Sequence, residues 1–413
     1  MIDYSKFTLD NGLRVIVHEN HTTPLAAFNL LYNVGARDEH PDKTGFAHLF
    51  EHLMFGGSLN IPNFDEPLQR AGGENNAFTT NDITNYYITL PATNLETAFW
   101  LESDRMLSLA FSEKSLEVQR HVVIEEFNER YFSQPYGDLW LLLRPLSYKV
   151  HPYQWATIGK EIAHIELAKM EDVKRFFSTY YCPSNAILCV SGNVKMEQVK
   201  SLAQKWFGSI APGQAVKRNL PVEPVQEEAR MLTVNRPVPL DCITKTFHCS
   251  ARTDDEFYTE DLLTDILSDG QSSRIYNALV KQKQLFTEAD IYVTGDMDKG
   301  LIIAEGKLRP GVGMSEAEAA LDEELNKMAN ELVRKEELEK VKNKISSSLM
   351  FSEMNILNNA MNLAFAELSG DAGDANMELE KYQRVTSEKI INRSKEIFRK
   401  ENSNTLYYLK QEN

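Results

Sequence analysis

The sequence of 413 residues has few cysteines and no long apolar run, and each of these features excludes some classes of protein. Its four cysteines include no C-x-x-C pair, so we expect buried reduced thiols and no zinc ligation by cysteine. No apolar run reaches the roughly 20 residues that a bilayer-spanning helix needs. The N-terminus lacks the basic and apolar regions of a signal peptide. We therefore expect a cytoplasmic protein with no membrane partner.

Positive charge is also scarce, because 44 Lys and Arg stand against 60 Asp and Glu, for a formal net charge of −16. Nucleic-acid binding needs a basic surface, so nucleic acid is not an expected partner. An acidic surface is compatible with cationic peptides as substrates, although solubility alone also explains it. There is no G-x-S-x-G segment and no cysteine in a recognisable catalytic pattern, so nothing indicates a serine or cysteine nucleophile.

Two imidazoles and one carboxylate stand close together in the segment His48-Leu49-Phe50-Glu51-His52. On a helix, positions i and i+4 share a face, so His48 and His52 can both bind one metal ion. Glu51 then lies beside the open position of that metal. H-x-x-E-H is the inverted-zincin pattern, the reverse of H-E-x-x-H. The alternative is two surface histidines with an incidental glutamate.

The sequence around the motif favours a single helix. Thr44 stands at the expected N-cap position, and Gly56-Gly57 supplies a C-terminal stop. An apolar stripe runs along the same segment and consists of Phe46, Leu49, Phe50 and Leu53. These signals place both histidines on one helix.

A catalytic zinc takes three protein ligands and keeps a fourth position for water, so two histidines are one ligand short. We expect the third ligand to be a carboxylate on the predicted helix Ser112–Phe132. Two valines lie one turn before Glu126 and favour an inward position, whereas Glu125 and Glu129 have wetter surroundings. On periodicity alone Glu126 is only slightly favoured over Glu125. Its alternative role is a surface ion pair with Arg130.

The chain is long enough for two domains of ordinary size. Five of its 15 prolines fall between residues 211 and 240, together with a charged stretch. This composition predicts an extended linker at residues 213–240. The expected domains are a zinc-bearing domain at residues 1–212 and a second domain at residues 241–413.

The two halves repeat the same order of predicted elements. Strand-like sequence precedes a helix in each half, and each helix ends at a glycine, Gly57 or Gly270. Aligning these glycines places Asp261, Thr264 and Asp265 at the positions of His48, Glu51 and His52. The pattern predicts a duplicated domain whose second copy has no zinc site.

Eight short segments in the first half of the chain match the sequence pattern of one known protein family. They are Gly35–Glu39, Thr44–Gly57, Asn76–Thr79, Thr84–Tyr86, Val122–Glu126, His151–Tyr153, Tyr181–Pro183 and Ser191–Asn193. Together they resemble the pitrilysin-type metallopeptidases, in the short-chain branch that includes the catalytic subunit of the mitochondrial processing peptidase. The resemblance covers the whole first half and, more loosely, the second. It implies an α+β fold of two homologous domains, each a mostly antiparallel sheet covered by helices and joined by an extended linker.

The resemblance also implies roles for individual residues. His48, His52 and Glu126 become the ligands of one Zn²⁺ per chain, and Glu51 becomes the general base. The family usually has a further glutamate seven residues before the ligand, where this chain has Gln119, a departure that affects the surroundings of the metal. The segment resembling the edge strand that pairs with an extended substrate is Asn76, Ala77, Phe78 and Thr79.

One family feature is missing from the second half. Many members have an Arg and a Tyr seven residues apart that hold the substrate, but Gly300–Pro310 has isoleucines where the Arg would stand. Short-chain members work as dimers, so the resemblance implies a heterodimer with a homologous subunit that bears the Arg and Tyr. A homodimer without the pair is the alternative.

These patterns favour a zinc endopeptidase that hydrolyses peptides or unfolded protein segments in a dimeric chamber. The alternative is a non-catalytic scaffold or assembly subunit of the same fold. Relatives of that second kind lose part of the H-x-x-E-H set, which is intact here. The intact set favours the enzyme.

Overall fold

Two β-sheets organise the chain, and the computed structural model describes residues 1–411. The strands are β1 (Ser5–Thr8), β2 (Arg14–Glu19), β3 (Leu25–Tyr32), β4 (Glu74–Thr79), β5 (Thr84–Pro91), β6 (Ala186–Gly192), β7 (Arg230–Arg236), β8 (Cys242–His248), β9 (Phe286–Val293), β10 (Leu301–Leu308) and β11 (Ser403–Lys410). The α-helices are α1 (Phe46–Phe55), α2 (Asp65–Arg70), α3 (Leu95–Leu107), α4 (Glu113–Tyr131), α5 (Leu139–Ser147), α6 (Ile162–Glu166), α7 (Met170–Tyr180), α8 (Met196–Phe207), α9 (Phe257–Ser268), α10 (Met314–Asn330), α11 (Lys335–Ser352), α12 (Ile356–Ser369), α13 (Glu378–Gln383) and α14 (Ser387–Ile397). Among residues 1–411, the strands form a six-stranded sheet and a five-stranded sheet.

The first compact unit comprises Met1–Asn128, Trp155–Leu220 and Met350–Met377. Its sheet has the order β1-β2-β6-β3-β5-β4, which leaves β4 at an edge. The central strands β3 and β6 are buried almost throughout, because helices cover both faces. Apolar residues of α12 pack on one face. From α3, Phe99 meets Phe28 of β3 edge-on, with ring centroids 5.0 Å apart.

The second compact unit comprises Glu129–Gln154, Pro221–Leu349 and the chain from Glu378. Its sheet has the order β7-β11-β8-β10-β9. Ile302 and Ala304 of β10 belong to a large apolar cluster together with buried residues of α9 and α10. On another face, Leu139 and Leu143 of α5 pack against buried residues of β8 and β11. This unit therefore has an apolar core of its own.

The five strands of the second sheet repeat the topology of five strands of the first, all but β1, which confirms the duplication predicted from the sequence. In the first sheet β2 pairs with β6 in parallel, and the pairs β6–β3, β3–β5 and β5–β4 are antiparallel. In the second sheet β7 pairs with β11 in parallel, and β11–β8, β8–β10 and β10–β9 are antiparallel. Helix α1 follows β3, and α9 follows β8 at the equivalent place. The α+β fold with two mostly antiparallel sheets is as expected.

The compact units differ from the predicted domain boundaries in three places. Residues 350–377 pack with the first sheet, and residues 129–154 pack with the second. Strand β7 lies inside the predicted linker 213–240, because the alternating side chains of Arg230–Arg236 pair with β11. The linker prediction overlooked this alternation, since it rested on the prolines around it. The extents of the two homologous domains stay a prediction.

The structure shows where the few cysteines lie and whether any helix could span a membrane. All four cysteines are buried and none forms a disulfide, as predicted. Burial raises the pKa of the Cys189 thiol far above its ordinary value. No helix within residues 1–411 combines the length and apolar character needed to cross a membrane.

Candidate metal centre

Helix α1 begins differently from the sequence-based expectation. Its N-cap is Gly45, whose φ of 88° favours glycine, and not Thr44. The Thr44 side chain lies 2.9 Å from a ring nitrogen of His164 instead. The buried carboxylate of Glu39 accepts hydrogen bonds from the backbone N–H groups of Gly45 (2.9 Å) and Ala47 (2.8 Å). A side chain from outside the helix therefore satisfies two of its first N–H groups.

Apolar packing fixes the orientation of α1. The side chains that it buries are Phe46, Ala47, Leu49, Phe50, Leu53 and Met54, which include the whole predicted stripe. The ring of Phe50 stacks on Tyr181 with centroids 5.1 Å apart. The helix ends at Phe55 with Gly56 as its C-cap, as predicted. The remaining face presents His48 and His52, whose rings lie 4.8 Å apart.

Three potential metal donors converge above this face. Glu126 of α4 places Oε2 3.5 Å from Nε2 of His48 and 3.4 Å from Nε2 of His52. One donor atom from each residue lies within 4.8 Å of the other two. The side chains of His48 and His52 are mostly buried, whereas that of Glu126 is 35% exposed. The cluster is thus partly open to solvent through its carboxylate.

The distance from the Glu126 carboxylate to each imidazole matches that between two donors of one zinc ion, and the imidazole donor atoms lie within 4.8 Å of each other. Tetrahedral zinc with bonds of about 2.0–2.1 Å separates neighbouring donor atoms by about 3.3–3.5 Å. The two carboxylate-to-imidazole distances, 3.5 and 3.4 Å, fall at that separation. A direct charge-assisted hydrogen bond would be shorter, at about 2.7–2.9 Å. Two imidazoles and a carboxylate are also a usual donor set for catalytic zinc.

The structure distinguishes Glu126, as a possible metal ligand, from the other glutamates of α4 more clearly than the periodicity of the sequence does. Glu125 and Glu129 are exposed, whereas Glu126 faces the two histidines. One step of the burial argument was wrong, because Val122 is 44% exposed while Val123 is fully buried. The inward face of α4 is therefore narrower than the two valines suggested.

Glu51 lies on the same side of α1 and has a partner on the edge strand. Its Oε2 accepts a hydrogen bond of 2.6 Å from the hydroxyl of Thr79. Burial raises the pKa of Glu51 above the ordinary glutamate value, and the hydrogen bond from Thr79 opposes this effect. The charge of Glu126 adds to the rise, and His52 lowers it.

The four residues predicted to bind substrate all lie on β4, at the edge of the first sheet. Exposure alternates along the strand, so that Asn76 and Phe78 are exposed while Ala77 and Thr79 are half-buried. The backbone N–H of Ala77 donates to the side-chain oxygen of Asn76 at 2.8 Å. Within residues 1–411, β4 has a neighbouring strand on one side only. That edge has the form that strand addition requires.

Comparisons with known proteins agree with this arrangement. A family model described as Insulinase (Peptidase family M16) matches residues 14–135, and one described as Peptidase M16 inactive domain matches residues 168–345. A protein of Helicobacter pylori named zinc protease PqqE is 31% identical over 345 residues, which cover 82% of this chain and 78% of its own. The chain belongs to peptidase family M16.

Two further M16 relatives extend the comparison. A solved structure, described as a protease from Helicobacter pylori, has a TM-score of 0.92 and 27% identity, covering 99% of this chain and all of the other. An Arabidopsis thaliana protein named probable mitochondrial-processing peptidase subunit beta is 26% identical over 239 residues. That match covers 56% of this chain and 44% of the plant protein. The resemblance stated from sequence segments is confirmed.

The M16 inactive-domain match includes α9, the counterpart of α1. The residues aligned with the histidine motif, Asp261, Thr264 and Asp265, form no group of metal donors within residues 1–411. The hydroxyl of Tyr382 donates to Asp261 at 2.5 Å. Burial, followed by the charges of Asp261 and Asp269, raises the pKa of Asp265 to about 7, against the opposing effect of two lysines of α11. Carboxylates here face one another without the imidazoles of the first unit.

We expect Asp265→Asn to stabilise the protein at pH 8. A carboxyl group whose pKa rises from 3.8 to about 7 on folding costs stability as the pH rises through that window. Removing the charge should add on the order of 1–2 kcal/mol to the free energy of unfolding at pH 8, allowing for solvent screening. Urea unfolding at several pH values measures this, with the exposed Asp255→Asn as control. A gain that does not shrink as the pH falls toward 4 would contradict the explanation.

Proposed function

We propose that this M16 chain is a zinc-dependent endopeptidase that hydrolyses peptides or unfolded protein segments. The observation that carries the proposal is the convergence of His48, His52 and Glu126, whose donor atoms lie within 4.8 Å of one another with the carboxylate 3.4–3.5 Å from both imidazoles. Glu51 lies on the same helix as the two histidines. All four residues fall within the family match at residues 14–135, outside the inactive-domain match. The name zinc protease of the Helicobacter pylori relative supports the same activity.

The residues of the site divide into a metal-holding set and a base. His48, His52 and Glu126 would hold one zinc ion. When bound, zinc supplies Lewis-acid polarisation of a carbonyl and lowers the pKa of coordinated water toward about 7. Glu51 would take a proton from the attacking water and deliver it to the leaving amine. Its half-buried carboxylate and its place beside the histidines suit that role.

The edge strand supplies the proposed substrate site. An extended peptide would add to β4 as a further antiparallel or parallel strand, held by backbone hydrogen bonds along Asn76, Ala77, Phe78 and Thr79. Thr79 is in hydrogen-bond contact with Glu51, so this end of β4 adjoins the base. Backbone pairing tolerates many sequences, which is consistent with a peptidase acting on unfolded segments.

Zinc analysis together with a cleavage assay tests the proposal. The purified chain should contain about one zinc atom, and a mixture of quenched fluorescent peptides should be cleaved at internal bonds. A chelator should abolish cleavage, and added zinc should restore it. A chain that binds no zinc and cleaves no peptide would favour the scaffold role.

We further propose that the active assembly is a dimer with a homologous chain that carries the Arg and Tyr missing here. The isoleucines at the expected Arg positions, Ile302 and Ile303, are fully buried in β10. A relative named as a subunit of the mitochondrial processing peptidase supports a paired arrangement. A homodimer is the alternative assembly.

Activity should therefore depend on the partner. Losing one charge-stabilising donor typically costs about 10²- to 10³-fold in rate, so the zinc-loaded chain alone should be a poor enzyme. Adding a related chain with the Arg and Tyr but without H-x-x-E-H should raise the rate by a similar factor. Peptide cleavage is measured with and without that chain, while light scattering reports the oligomeric state. Full activity in a homodimer, with no gain from the partner, would refute the heterodimer.

A further inference from the structure

The contact between Thr79 and Glu51 joins two parts of the proposed site that the sequence treated separately. Thr79 is the last residue of β4, and its Oγ1 lies 2.6 Å from Oε2 of Glu51 on α1. A hydroxyl this close to a carboxylate is a short, charge-assisted hydrogen bond, among the stronger kinds in proteins. The two residues are 28 positions apart in the chain.

The alternation of β4 assigns Thr79 to the inner side of the strand. Ala77 and Thr79 are half-buried, whereas Asn76 and Phe78 are exposed on the other side. A peptide that adds to the strand edge bonds to backbone groups, so the Thr79 hydroxyl is not required for that pairing. Its side chain is directed to the carboxylate of Glu51 instead.

Thr79 is also the principal hydrogen-bond donor to Glu51 within residues 1–411. The hydroxyl donates to Oε2 of this carboxylate at 2.6 Å. A glutamate side chain otherwise rotates broadly about its last torsion angle. A base must lie within hydrogen-bond reach of the proton that it takes, so the orientation of this carboxylate affects the rate directly.

We propose that Thr79 is a positioning residue, whose hydroxyl holds the Glu51 carboxylate in the orientation needed for proton transfer. The proposal rests on the proposed peptidase function. It gives the side chain of Thr79 a role in orienting the base, in addition to the backbone pairing with substrate predicted for this residue. The same hydrogen bond connects the base to β4, the strand to which a substrate would add. It therefore fixes the position of the base relative to the bound peptide.

Two substitutions at Thr79 test this role. Thr79→Val keeps the shape of the side chain and removes the hydroxyl, so kcat should fall about 10- to 100-fold, the range for losing a hydrogen bond to a charged group. KM should stay within about threefold, because the hydroxyl is not needed for peptide pairing. Thr79→Ser keeps the hydroxyl and should retain kcat within about threefold. Thr89→Val, on the neighbouring strand β5, is the matched control and should change neither constant.

A binding measurement and a double-mutant cycle separate this role from substrate binding. In a Glu51→Gln background, Thr79→Val should leave the affinity for a fluorescent peptide unchanged, as measured by fluorescence polarisation. In the same background it should lower the residual cleavage rate by less than about threefold. Zinc content should equal that of the wild type. Weaker peptide binding, a full rate loss that persists without Glu51, or a Thr79→Val enzyme as fast as the wild type would each overturn the positioning role. A wild-type chain that cleaves no peptide would instead overturn the peptidase function itself.

Discussion

Replacing Glu51 by glutamine should leave zinc bound at full stoichiometry while kcat falls about 10²- to 10⁴-fold, the usual contribution of a general base. Glutamine keeps the size of the side chain and its contact with Thr79, but it cannot take a proton. Glu51 is not among the three converging donors, so metal content should not change. Elemental analysis and single-turnover cleavage of a fluorescent peptide measure the two quantities on the same preparation.

His48→Ala is the matched comparison for Glu51→Gln, because it changes the same helix face and should lose both zinc and activity. The division of roles on α1 would be wrong if Glu51→Gln emptied the site of zinc. It would also be wrong if the glutamine variant cleaved peptides at the wild-type rate.

Replacing Glu126 by glutamine should weaken zinc binding by more than about 100-fold, which exceeds the 10- to 100-fold typical of residues that only support a ligand. An amide oxygen is a neutral and weaker zinc donor than the carboxylate that lies 3.4–3.5 Å from both imidazoles. Competition with a chromogenic chelator measures the affinity. Cleavage should be lost at zinc concentrations that saturate the wild type.

Glu125→Gln and Glu129→Gln are matched controls for that change, since both side chains are exposed on the same helix. Each should bind zinc with an affinity within about threefold of the wild type, as expected for surface substitutions. If Glu126→Gln bound zinc with the wild-type affinity, the third ligand would have to be another residue.

The fold and part of the site could be predicted from the sequence because their signals are local. The spacing of His48 and His52 fixes their common face once α1 forms, and the glycine at its end sets the stop. The order of predicted elements indicated the duplication, since strand-like sequence in each half is followed by a helix that ends at a glycine. The central strands β3 and β6 of the first sheet are mostly apolar, as is typical of strands buried on both faces.

Other features depend on contacts between distant segments and could not be read from local patterns. Periodicity left Glu125 and Glu126 nearly equal, because only the placement of α4 relative to α1 decides which glutamate lies near the histidines. The capping role of Glu39 and the bond from Thr79 to Glu51 have the same origin. The apolar face of α12 predicts that this helix packs, but not that it packs on the first sheet.

Anomalous X-ray diffraction on both sides of the zinc absorption edge tests the central claim most directly. Crystals of the purified chain, grown without added metal, should give one strong zinc peak per chain. We expect it about 2.0–2.2 Å from Nε2 of His48, Nε2 of His52 and a carboxylate oxygen of Glu126. A map with no peak at this position, or with its peak at other residues, would contradict the account.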